Sequence, residues 1–514
     1  MSTKIQIIKR LEIVKTAIEL EEEDLVHLQI KKLKEENNDD LDEIIEVLEN
    51  DDYSNINKVI DDYIYGYKNA KLTPHQQEVF NAINRDIDQV LQNYQENELK
   101  TKTINFFSLS GSAGVGKTFV TAKLVESFLS KEYKILLTTP THKSLSVAKY
   151  MINSNNIQVN AKTLQSYLDL RLDINYFQGT KAFTRDKKQN QYDYEKDLDI
   201  LIVDESSMVS NELLKFIEEN LEQNKLKTVL FIGDQYQLPP VDEGSNGVVL
   251  LPKHYILSEI VRQAKDSYIK IIANELKNCI RDQKYIPLNE ILNPTKHPQL
   301  QIFHDEKSFL QDFTKEPQWY EKKKIAISYT NSQVDEQNRL LRYKYWLDNG
   351  ITVSDAIIVG DSLVFNESYD KRFQNSEVVL VTKAERQWDK YIQVYYWQCL
   401  DGFGRSFKVI DPDYAIEYNN YLSNLAAQAK KVAQSDRELR KKKWGHYFAT
   451  KETYADVKYT FASTVHKVQG STYDIAYINA ASIASMINRN EYNMAYRLLY
   501  VAITRASRDI KILL

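Results

Sequence analysis

The stretch 109–124, LSGSAGVGKTFVTAKL, decides the fold of the region around it. The apolar run INFFSLSG leads into it and an amphipathic run follows, which predicts a strand, a glycine-rich loop and a helix. The loop fits the pattern G-x-x-x-x-G-K-[ST], in which glycines turn backbone N–H groups toward phosphates, lysine adds charge and the hydroxyl can bind Mg²⁺. We therefore predict a nucleoside triphosphate site. Its loop residues are Gly111, Ser112, Ala113, Gly114, Val115, Gly116, Lys117 and Thr118.

A second apolar run ends in two adjacent carboxylates, within LDILIVDESSM at 198–208. Asp204 follows the predicted strand directly, where its carboxylate can bind Mg²⁺, either directly or through a water molecule. Glu205 is then placed to orient and activate an attacking water. Two solvated acids in a turn would be the ordinary interpretation of such a pair. Beside a phosphate-binding loop, the pair favours hydrolysis of ATP.

Length and charge limit the class of protein. A chain of 514 residues is too long for one compact core, so we expect two to four domains. Residues 1–70 contain nine Lys and Arg against eighteen Asp and Glu, a net charge of −9, whereas the remainder carries +4. Such an asymmetry fits a DNA-binding body with an acidic appendage, and it also fits many ordinary proteins.

Cysteine usage and apolar runs point to the compartment. Cys279 and Cys399 lack metal-ligand spacing, which disfavours a zinc site or a disulfide framework. No apolar run reaches the ~18–20 residues of a membrane span. The first twenty residues mix charge into their apolar positions and lack a signal-peptide core. We expect a soluble cytoplasmic protein without a membrane partner.

Hydrophobic periodicity divides the chain into regions. Residues 1–68 predict an acidic helical extension, which we interpret as a solubilising or partner-docking appendage. From residue 69, short apolar runs alternate with amphipathic segments, as in a parallel sheet covered by helices on both faces. A second set of such runs lies at 324–330 and 459–480. Between the two sets, 352–457 contains short β-rich runs typical of a small barrel, followed by a charged helical stretch.

Nine segments in a fixed order resemble the superfamily 1 helicases, specifically the Dda-like and RecD-like branch that moves 5′ to 3′. The segments are LTPHQQEVFNAI, GSAGVGKT, TTPTHKSLSVAKYM, KTLQSYL, IVDESSM, VLFIGDQYQLPPV, LSEIVRQ, STVHKVQGSTYD and LLYVAITRAS. They span residues 72–507, about four-fifths of the chain. The combination of GDQYQLPPV, TVHKVQGS and YVAITRA is highly specific.

The resemblance implies an α/β fold with two RecA-like P-loop NTPase domains. Residues 69–265 would form the first domain, with a β-hairpin pin insertion at about 171–196. The second domain would combine 266–351 with 458–514. Residues 352–457 would be an SH3-like β-barrel insertion with a helical hook.

The resemblance also assigns residues to the nucleotide site. Gln76 would read the adenine edge, although Gln77 beside it leaves the choice open. Gln237 would contact the γ-phosphate and report its loss. Arg262 and Arg505 would both bring positive charge to the γ-phosphate, so that ATP is held between the domains. The second domain would add Gln469, Gly470 and Tyr500.

A further set of residues is implied to bind the DNA backbone without reading bases, as a motor that must step over any sequence requires. The set consists of Pro140, Thr141, His142, Lys143, Thr163, Gln165, Thr464, His466 and Lys467. Gln165 stands where histidine is often found in the family, and glutamine can still donate a hydrogen bond.

The insertion at 171–196 predicts a β-hairpin, with its tip in the polar segment DKKQNQ, 186–191. In the family such a hairpin is the pin on which the duplex splits. Phe177 and Phe183 are candidates for the aromatic that stacks on the junction, and packing at the hairpin base is an equally good interpretation. The SH3-like insertion would brace the pin. Its segment RELRKKKWGH, 437–446, would bind phosphates or form a solvated face.

These observations predict an ATP-dependent DNA helicase that uses ATP and Mg²⁺. We expect a monomer acting on single-stranded DNA and at single-strand–duplex junctions, in a bacterial cytosol or as a phage protein in its host's cytosol. One alternative is a DNA-stimulated translocase that displaces proteins without processive unwinding. The other is an ATP-switched scaffold or loading factor, recruited through the acidic extension.

Overall fold

The computed structural model describes residues 71–96, 105–112, 114–141, 144–145, 148–149, 159–176, 179–185, 198–222, 226–240, 253–259 and 267–514. The predicted helical extension, 1–68, lies outside these residues. So do five residues singled out above: Ala113, His142, Lys143, Phe177 and Arg262. Within the described ranges, no helix combines the length and the apolar character that crossing a membrane requires.

The described elements follow in chain order. The strands are β1 (Phe106–Gly111), β2 (Ile135–Thr139), β3 (Ala161–Thr163), β4 (Leu170–Asn175), β5 (Thr180–Arg185), β6 (Leu198–Val203), β7 (Leu226–Gly233), β8 (Lys253–Leu257), β9 (Gln301–Phe303), β10 (Lys324–Ser328), β11 (Ser362–Phe365), β12 (Val378–Asp389), β13 (Val394–Asp401), β14 (Ser406–Ile410), β15 (Val457–Tyr459), β16 (Ala462–Thr464), β17 (Tyr473–Asn479) and β18 (Ala506–Leu513). The helices are α1 (Pro74–Glu96), α2 (Lys117–Ser130), α3 (Leu164–Tyr167), α4 (Asn211–Glu222), α5 (Tyr268–Asp282), α6 (Leu288–Ile291), α7 (Glu306–Phe313), α8 (Asn331–Asp348), α9 (Ala415–Lys431), α10 (Arg437–Lys451), α11 (Ala480–Ile487) and α12 (Tyr492–Ile503).

The first sheet has the strand order β3-β2-β6-β7-β1-β8, and all its pairings are parallel. Successive side chains of a strand point to opposite sides of the sheet, and helices cover both sides, so both faces are buried. On β1, Phe107 packs in a core shared with α1 and α2, and Phe106 packs in the core shared with α4. This sheet with α1–α4 is called the first unit below. The parallel sheet that the apolar runs predict is confirmed.

The second sheet is also entirely parallel, in the order β16-β10-β17-β18-β9. One core lies between it and α5, α11 and α12, and another lies on the side of α7 and α8. This sheet with its helices is called the second unit. Leu238, which follows β7 of the first unit, is 1% exposed and belongs to the first of these two cores. The two units are therefore packed together through this residue.

Between β10 and β16 the chain forms an antiparallel sheet in the order β14-β13-β12-β11-β15. It surrounds an aromatic core that contains Phe365, Phe373 and Phe407. Near its two edge strands, the Ala455 N–H donates to the Lys408 carbonyl at 2.7 Å. Helices α9 and α10 follow β14 and share a small core. This region, 362–459, is called the antiparallel insertion.

Strands β4 and β5 form a two-stranded antiparallel hairpin, from the pair Leu170–Arg185 to the pair Asn175–Thr180. Its turn lies at 176–179, where the Gly179 N–H donates to the Asn175 carbonyl at 2.7 Å and φ of Gly179 is +68°. The predicted tip at 186–191 is therefore wrong, and that segment lies outside the described residues. A tight turn needs a left-handed residue more than it needs polar ones, and glycine supplies it.

Candidate nucleotide and nucleic-acid sites

The phosphate-binding loop connects β1 to α2, at the carboxyl edge of the first sheet. Gly114 and Gly116 have φ angles of +89° and +81°, which residues with a Cβ rarely adopt. A Cβ on Gly111 would lie 2.6 Å from a methyl carbon of Val115. The glycines therefore allow the backbone to wrap a ligand closely. The Lys117 ammonium donates to the carbonyls of Gly111 and Ser112, at 2.6 and 3.1 Å, which holds the charge at the loop.

Gln76, at the start of α1, supports this loop. Its amide nitrogen donates to the Val115 carbonyl at 3.0 Å, and its amide oxygen accepts from the Thr73 N–H at 3.1 Å. Gln76 is 1% exposed, whereas Gln77 is exposed and bonds to Asn81. Of the two glutamines that the sequence left open, Gln76 is the one at the nucleotide site.

Asp204 and Glu205 follow β6, at the same sheet edge as the loop. Burial, followed by the neighbouring charge of Glu205, raises the pKa of Asp204 to about 7. The Glu205 N–H donates to the Asp204 carboxylate at 2.8 Å. Glu205 has φ of +53°, a strained conformation for a residue with a Cβ. The backbone is therefore strained at Glu205, the residue to which the sequence assigns activation of the attacking water.

The residues present fit a magnesium-bound nucleotide. Mg²⁺ usually takes only one or two protein ligands, because substrate phosphates and water supply the others. Thr118, in the first turn of α2, and Asp204 offer a hydroxyl and a carboxylate of the required oxygen type. Over the described ranges, no group of three or more His, Cys, Asp or Glu forms a separate metal site.

The turn after β7 carries the next predicted residue, Gln237, and it meets the second unit. The Gln469 amide donates to Gln237 Oε1 at 2.9 Å and to Ser207 Oγ at 3.3 Å. The Tyr500 hydroxyl donates to Asp234 Oδ2 at 2.7 Å. Both contacts join residues more than 230 positions apart in the sequence, so no local sequence pattern predicts them.

Arg505 lies at the end of α12 and is 6% exposed. Its guanidinium donates to the carbonyls of Val501 and Ser471, at 3.0 and 3.2 Å. Burial lowers the pKa of Arg505, and the charge of Glu205 acts in the opposite sense. The third nitrogen of Arg505 donates to the Thr504 hydroxyl at 3.2 Å, so the guanidinium is held by neutral oxygens of its own unit. Gly470, with φ of +76°, directly precedes Ser471, and a Cβ on it would lie 3.4 Å from the Ser144 hydroxyl of the first unit.

A second cleft, of about 900 Å³, lies between the first unit, the hairpin, the antiparallel insertion and the second unit. Seven of the residues predicted to contact DNA or the junction line it: Pro140, Thr141, Thr163, Gln165, Phe183, His466 and Lys467. Gln469 lines it as well, which brings the nucleotide site and this cleft into contact at one side chain. Burial lowers the pKa of His466, so we expect it to be a neutral hydrogen-bonding group at pH 7.

Several of these side chains are oriented by the protein itself. Gln165 donates to the Pro140 carbonyl at 3.1 Å, and the Thr163 hydroxyl caps α3 by accepting from the Ser166 N–H. Thr464 is 8% exposed and lies behind the cleft wall, where its hydroxyl accepts from the Lys467 N–H at 3.4 Å. Phe183 is half-buried and packs against the core on the α4 side of the first sheet, at the cleft end of the hairpin.

The turn of the hairpin packs against α9 and α10. A Cβ on Gly179 would lie 2.1 Å from the Trp444 ring, so this glycine lets the ring approach the backbone. The Arg440 guanidinium donates to the Tyr176 carbonyl at 3.1 Å. Lys181 of β5 forms an ion pair with Glu452 at 3.0 Å. Within the segment 437–446, Arg440 and Trp444 therefore hold the hairpin. The sequence did not assign this contact to these two residues.

Two protein-family models match parts of this chain. Residues 91–283 match the AAA domain family, and residues 459–510 match the UvrD-like helicase C-terminal domain family. The ATP-dependent DNA helicase Dda of Enterobacteria phage T4 is 23% identical over 435 residues, which cover 78% of this chain and 93% of that protein. By sequence, this chain is similar to ATP-dependent DNA helicases of the Dda and Pif1 type.

One more relative and one solved structure are similar to this chain. Protein R530 of Acanthamoeba polyphaga mimivirus is 25% identical over 483 residues, which cover 80% of this chain and 96% of that protein. Among solved structures, the Pif1 helicase from Candida albicans aligns over 86% of this chain and 94% of its own, with 16% identity and a TM-score of 0.43.

The structure adds residues to this helicase relative that the motifs did not indicate. Arg497 of α12 donates to the carbonyls of Gln235 and Gln237. The antiparallel insertion contributes a wall to the cleft, and the first unit adds charged side chains. These additional lining residues are Lys162, Arg171, Ser368, Asn375 and Ser376. Arg497 stands eight positions before Arg505 in LLYVAITRAS and its flank, so helical spacing could have indicated it.

Proposed function

We propose that this chain is an ATP-dependent DNA helicase that moves 5′ to 3′ on single-stranded DNA and separates duplex strands. One observation carries the proposal. Gln469 donates to Gln237 and Ser207 at the nucleotide site, and it also lines the cleft that the predicted DNA contacts share. A change at the γ-phosphate can therefore reach the DNA cleft through a single side chain.

The nucleotide site supplies the groups that ATP hydrolysis needs. The loop amides and Lys117 would bind the phosphates, and Mg²⁺ held by Thr118 and Asp204 would neutralise charge on the phosphate oxygens. Glu205 would orient the attacking water and accept its proton. Arg505 would stabilise the charge that develops on the γ-phosphate. Arg262 stays assigned to the same role by the resemblance alone.

The DNA cleft supports binding that is independent of base sequence. Backbone-type contacts from Thr141, Gln165 and Lys467 would hold the phosphates, since hydroxyl, amide and ammonium groups donate hydrogen bonds without reading base edges. His142 and Lys143, which follow Thr141 directly, belong to the same proposed set. Such contacts suit a motor that must step along any sequence.

We assign strand separation to the hairpin, 170–185, as a pin. Its attachment to α10 through Trp444 and Arg440 supports this assignment, because a wedge must not bend when the duplex presses on it. Phe183, at the base of the hairpin, stays a candidate for the stacking aromatic, and so does Phe177. Residues 352–457, which contain most of the antiparallel insertion, would then be an SH3-like module whose helices serve as the brace.

The division of labour follows from these sites. Residues 69–265 would bind ATP and one part of the strand, and 266–351 with 458–514 would close over the nucleotide and hold another part. Closure on ATP would advance one unit along the strand, and hydrolysis would release it. The acidic extension, 1–68, would recruit a protein partner, and the chain would act as a monomer in the cytoplasm.

The deciding experiment compares two duplexes that differ only in carrying a 5′ or a 3′ single-stranded tail, with Lys117→Ala beside the wild type. Opening of only the 5′-tailed duplex, lost in Lys117→Ala, is the expected result. Opening of only the 3′-tailed duplex would keep the helicase and overturn the direction. Lys123→Ala is the control for loss of a lysine. Lys123 lies on the same helix, α2, and pairs with Glu126 at 2.9 Å.

The same assay separates the two alternatives. A translocase would open neither duplex while its ATPase rose with single-stranded DNA. A scaffold or loading factor would hydrolyse ATP slowly, with little response to DNA. ATPase that ignores DNA altogether would contradict the motor.

A further inference from the structure

The turn 234–240 of the first unit is embedded in the second unit. Its Leu238 lies in the core beside α12, and its Tyr236 packs edge-on against Tyr500, with ring centroids 6.4 Å apart. Asp234, 1% exposed, accepts from the Tyr500 hydroxyl. Because Gln237 belongs to this turn, the position of α12 and the position of the proposed γ-phosphate sensor are fixed relative to each other.

Arg497 holds the backbone of the same turn. One of its terminal nitrogens donates to the Gln235 carbonyl at 2.6 Å and to the Gln237 carbonyl at 2.8 Å. Its Nε donates to Asn493 Oδ1, one turn earlier on α12, at 2.8 Å. A guanidinium offers five N–H donors in a fixed plane, so it can bind two carbonyls and its own helix simultaneously. These contacts join residues 260 and 262 positions apart.

The side chain sits among groups that the catalytic contacts do not use. Burial lowers the pKa of Arg497, and the charge of Asp234 acts in the opposite sense. Within the part of the chain that the structure describes, its hydrogen bonds go to two carbonyl oxygens and one amide oxygen, and none of these acceptors is a carboxylate. The arginine therefore holds the backbone of the turn through neutral acceptors. These hydrogen bonds do not depend on the protonation state of a carboxylate partner.

Arg497, Tyr500 and Arg505 lie along a single rigid segment. Positions three, four and seven to eight apart share a face of a helix, and α12 spans the first two before ending just ahead of Arg505. Arg505 is bonded back to the Val501 carbonyl of the same helix at 3.0 Å. A tilt of α12 at its Arg497 end would consequently displace the Arg505 guanidinium at the other end.

We propose that Arg497 is a positioning residue that sets the orientation of α12, and so places Arg505 for the hydrolysis step, by binding the carbonyls of the sensor turn. This rests on the proposed ATPase function and deepens it. A misplacement of about 1 Å in a catalytic group can cost on the order of a hundredfold in rate. We therefore expect Arg497 to act on kcat for ATP hydrolysis and to leave the KM for ATP nearly unchanged.

The test compares Arg497→Ala, Arg497→Lys and Arg489→Ala in the full chain with single-stranded DNA. Arg489 is the matched control, since it stands three positions before α12, is 58% exposed and pairs loosely with Glu491 at 3.8 Å. Arg497→Ala should lower kcat by about tenfold to a hundredfold. Arg497→Lys should be intermediate, because an ammonium keeps the charge and reaches carbonyls but loses the bond to Asn493. Thermal melts of each variant report whether the fold survives.

A second measurement separates positioning from a merely structural role. Adding Arg497→Ala to Arg505→Ala, followed with radiolabelled ATP, should change the residual rate by less than about twofold, because residues that act through one another are not additive. An equal loss in both backgrounds, or an Arg497→Ala kcat within about twofold of wild type, would overturn the inference. A wild-type chain that does not hydrolyse ATP would overturn the proposed function, and this inference with it.

Discussion

The two α/β units share a parallel sheet covered by helices, but the edges that face each other carry different chemistry. The first unit presents a loop and a carboxylate pair whose backbone is left-handed at Gly114, Gly116 and Glu205. The second presents side-chain donors, above all Tyr500 and Arg505. The first unit therefore carries the groups that we propose bind phosphate and metal, and the second carries those that we propose detect and act on what is bound. A site divided in this way works only when the units meet.

Removing the second unit's charge should have the largest effect. Arg505→Ala should lower ATP hydrolysis by about 10³-fold, because an arginine at the γ-phosphate stabilises charge that develops only in the transition state. Nucleotide affinity should change little, since the loop and Lys117 belong to the first unit. Steady-state kinetics and equilibrium binding of a fluorescent ATP analogue measure the two quantities. Equal losses in rate and affinity would mean that Arg505 serves binding alone.

The glycine at the hairpin turn, Gly179, can be compared with Gly404, which lies between β13 and β14. Gly179→Ala should lower unwinding of a forked duplex by about tenfold or more while leaving DNA-stimulated ATPase within about twofold, because the new Cβ would displace Trp444 as well as strain the turn. Gly404→Ala carries the same left-handed strain, φ +75° against +68°, but its Cβ would meet nothing within 4 Å. If both variants unwind equally, contact between the hairpin and α10 is unimportant for strand separation.

The pH dependence tests the first unit's carboxylates. Burial raises the pKa of Asp204 to about 7, so its carboxyl is neutral below that pH and charged above it. A metal ion binds the charged form, and the Mg²⁺ concentration for half-maximal ATPase should therefore rise by up to about tenfold per pH unit below 7. It should level off between pH 8 and 9. A flat response from pH 5.5 to 8 would indicate that Asp204 does not compete for a proton.

The smallest effect concerns the seam between the units. Tyr500→Phe removes the hydroxyl that donates to the buried Asp234 carboxylate, and a hydrogen bond to a charged group contributes about 1.5–3 kcal/mol. We expect a midpoint of thermal unfolding lower by a few degrees and a DNA-stimulated ATPase about two- to threefold lower. Tyr391→Phe, at a side chain that is 80% exposed, should change neither. A melting curve that matches wild type would mean that this hydrogen bond does not stabilise the contact between the units.

How far the sequence predicts the fold depends on the range of each signal. Continuous apolar runs predicted β1, β2, β6 and β7 correctly, because a strand buried on both faces must be apolar throughout. The hairpin turn was misplaced, since polar composition is only a correlate of turns. The signal that decides a tight turn, glycine at a left-handed position, was present at Gly179.

The candidate site divides in the same manner. The phosphate-binding loop and Asp204–Glu205 are contiguous motifs, so their chemistry could be predicted from spacing. The contacts of Arg497 and Ser207 could not be predicted in this way, because each residue bonds to a partner more than 250 positions away. Likewise, no local pattern indicated that a loop of the antiparallel insertion would complete the cleft wall.

By itself, the sequence determined the nucleotide chemistry of this protein, because glycines, a lysine, a hydroxyl and two acids must stand at fixed spacing to bind and hydrolyse a triphosphate. Only the tertiary structure decided which residues meet across the units. Gln76 faces the loop and Gln77 faces solvent because consecutive helical residues are about 100° apart, and only packing selects the buried one. Contacts such as Gln469 with Gln237 depend on how two sheets approach each other, a property that no short stretch of sequence contains.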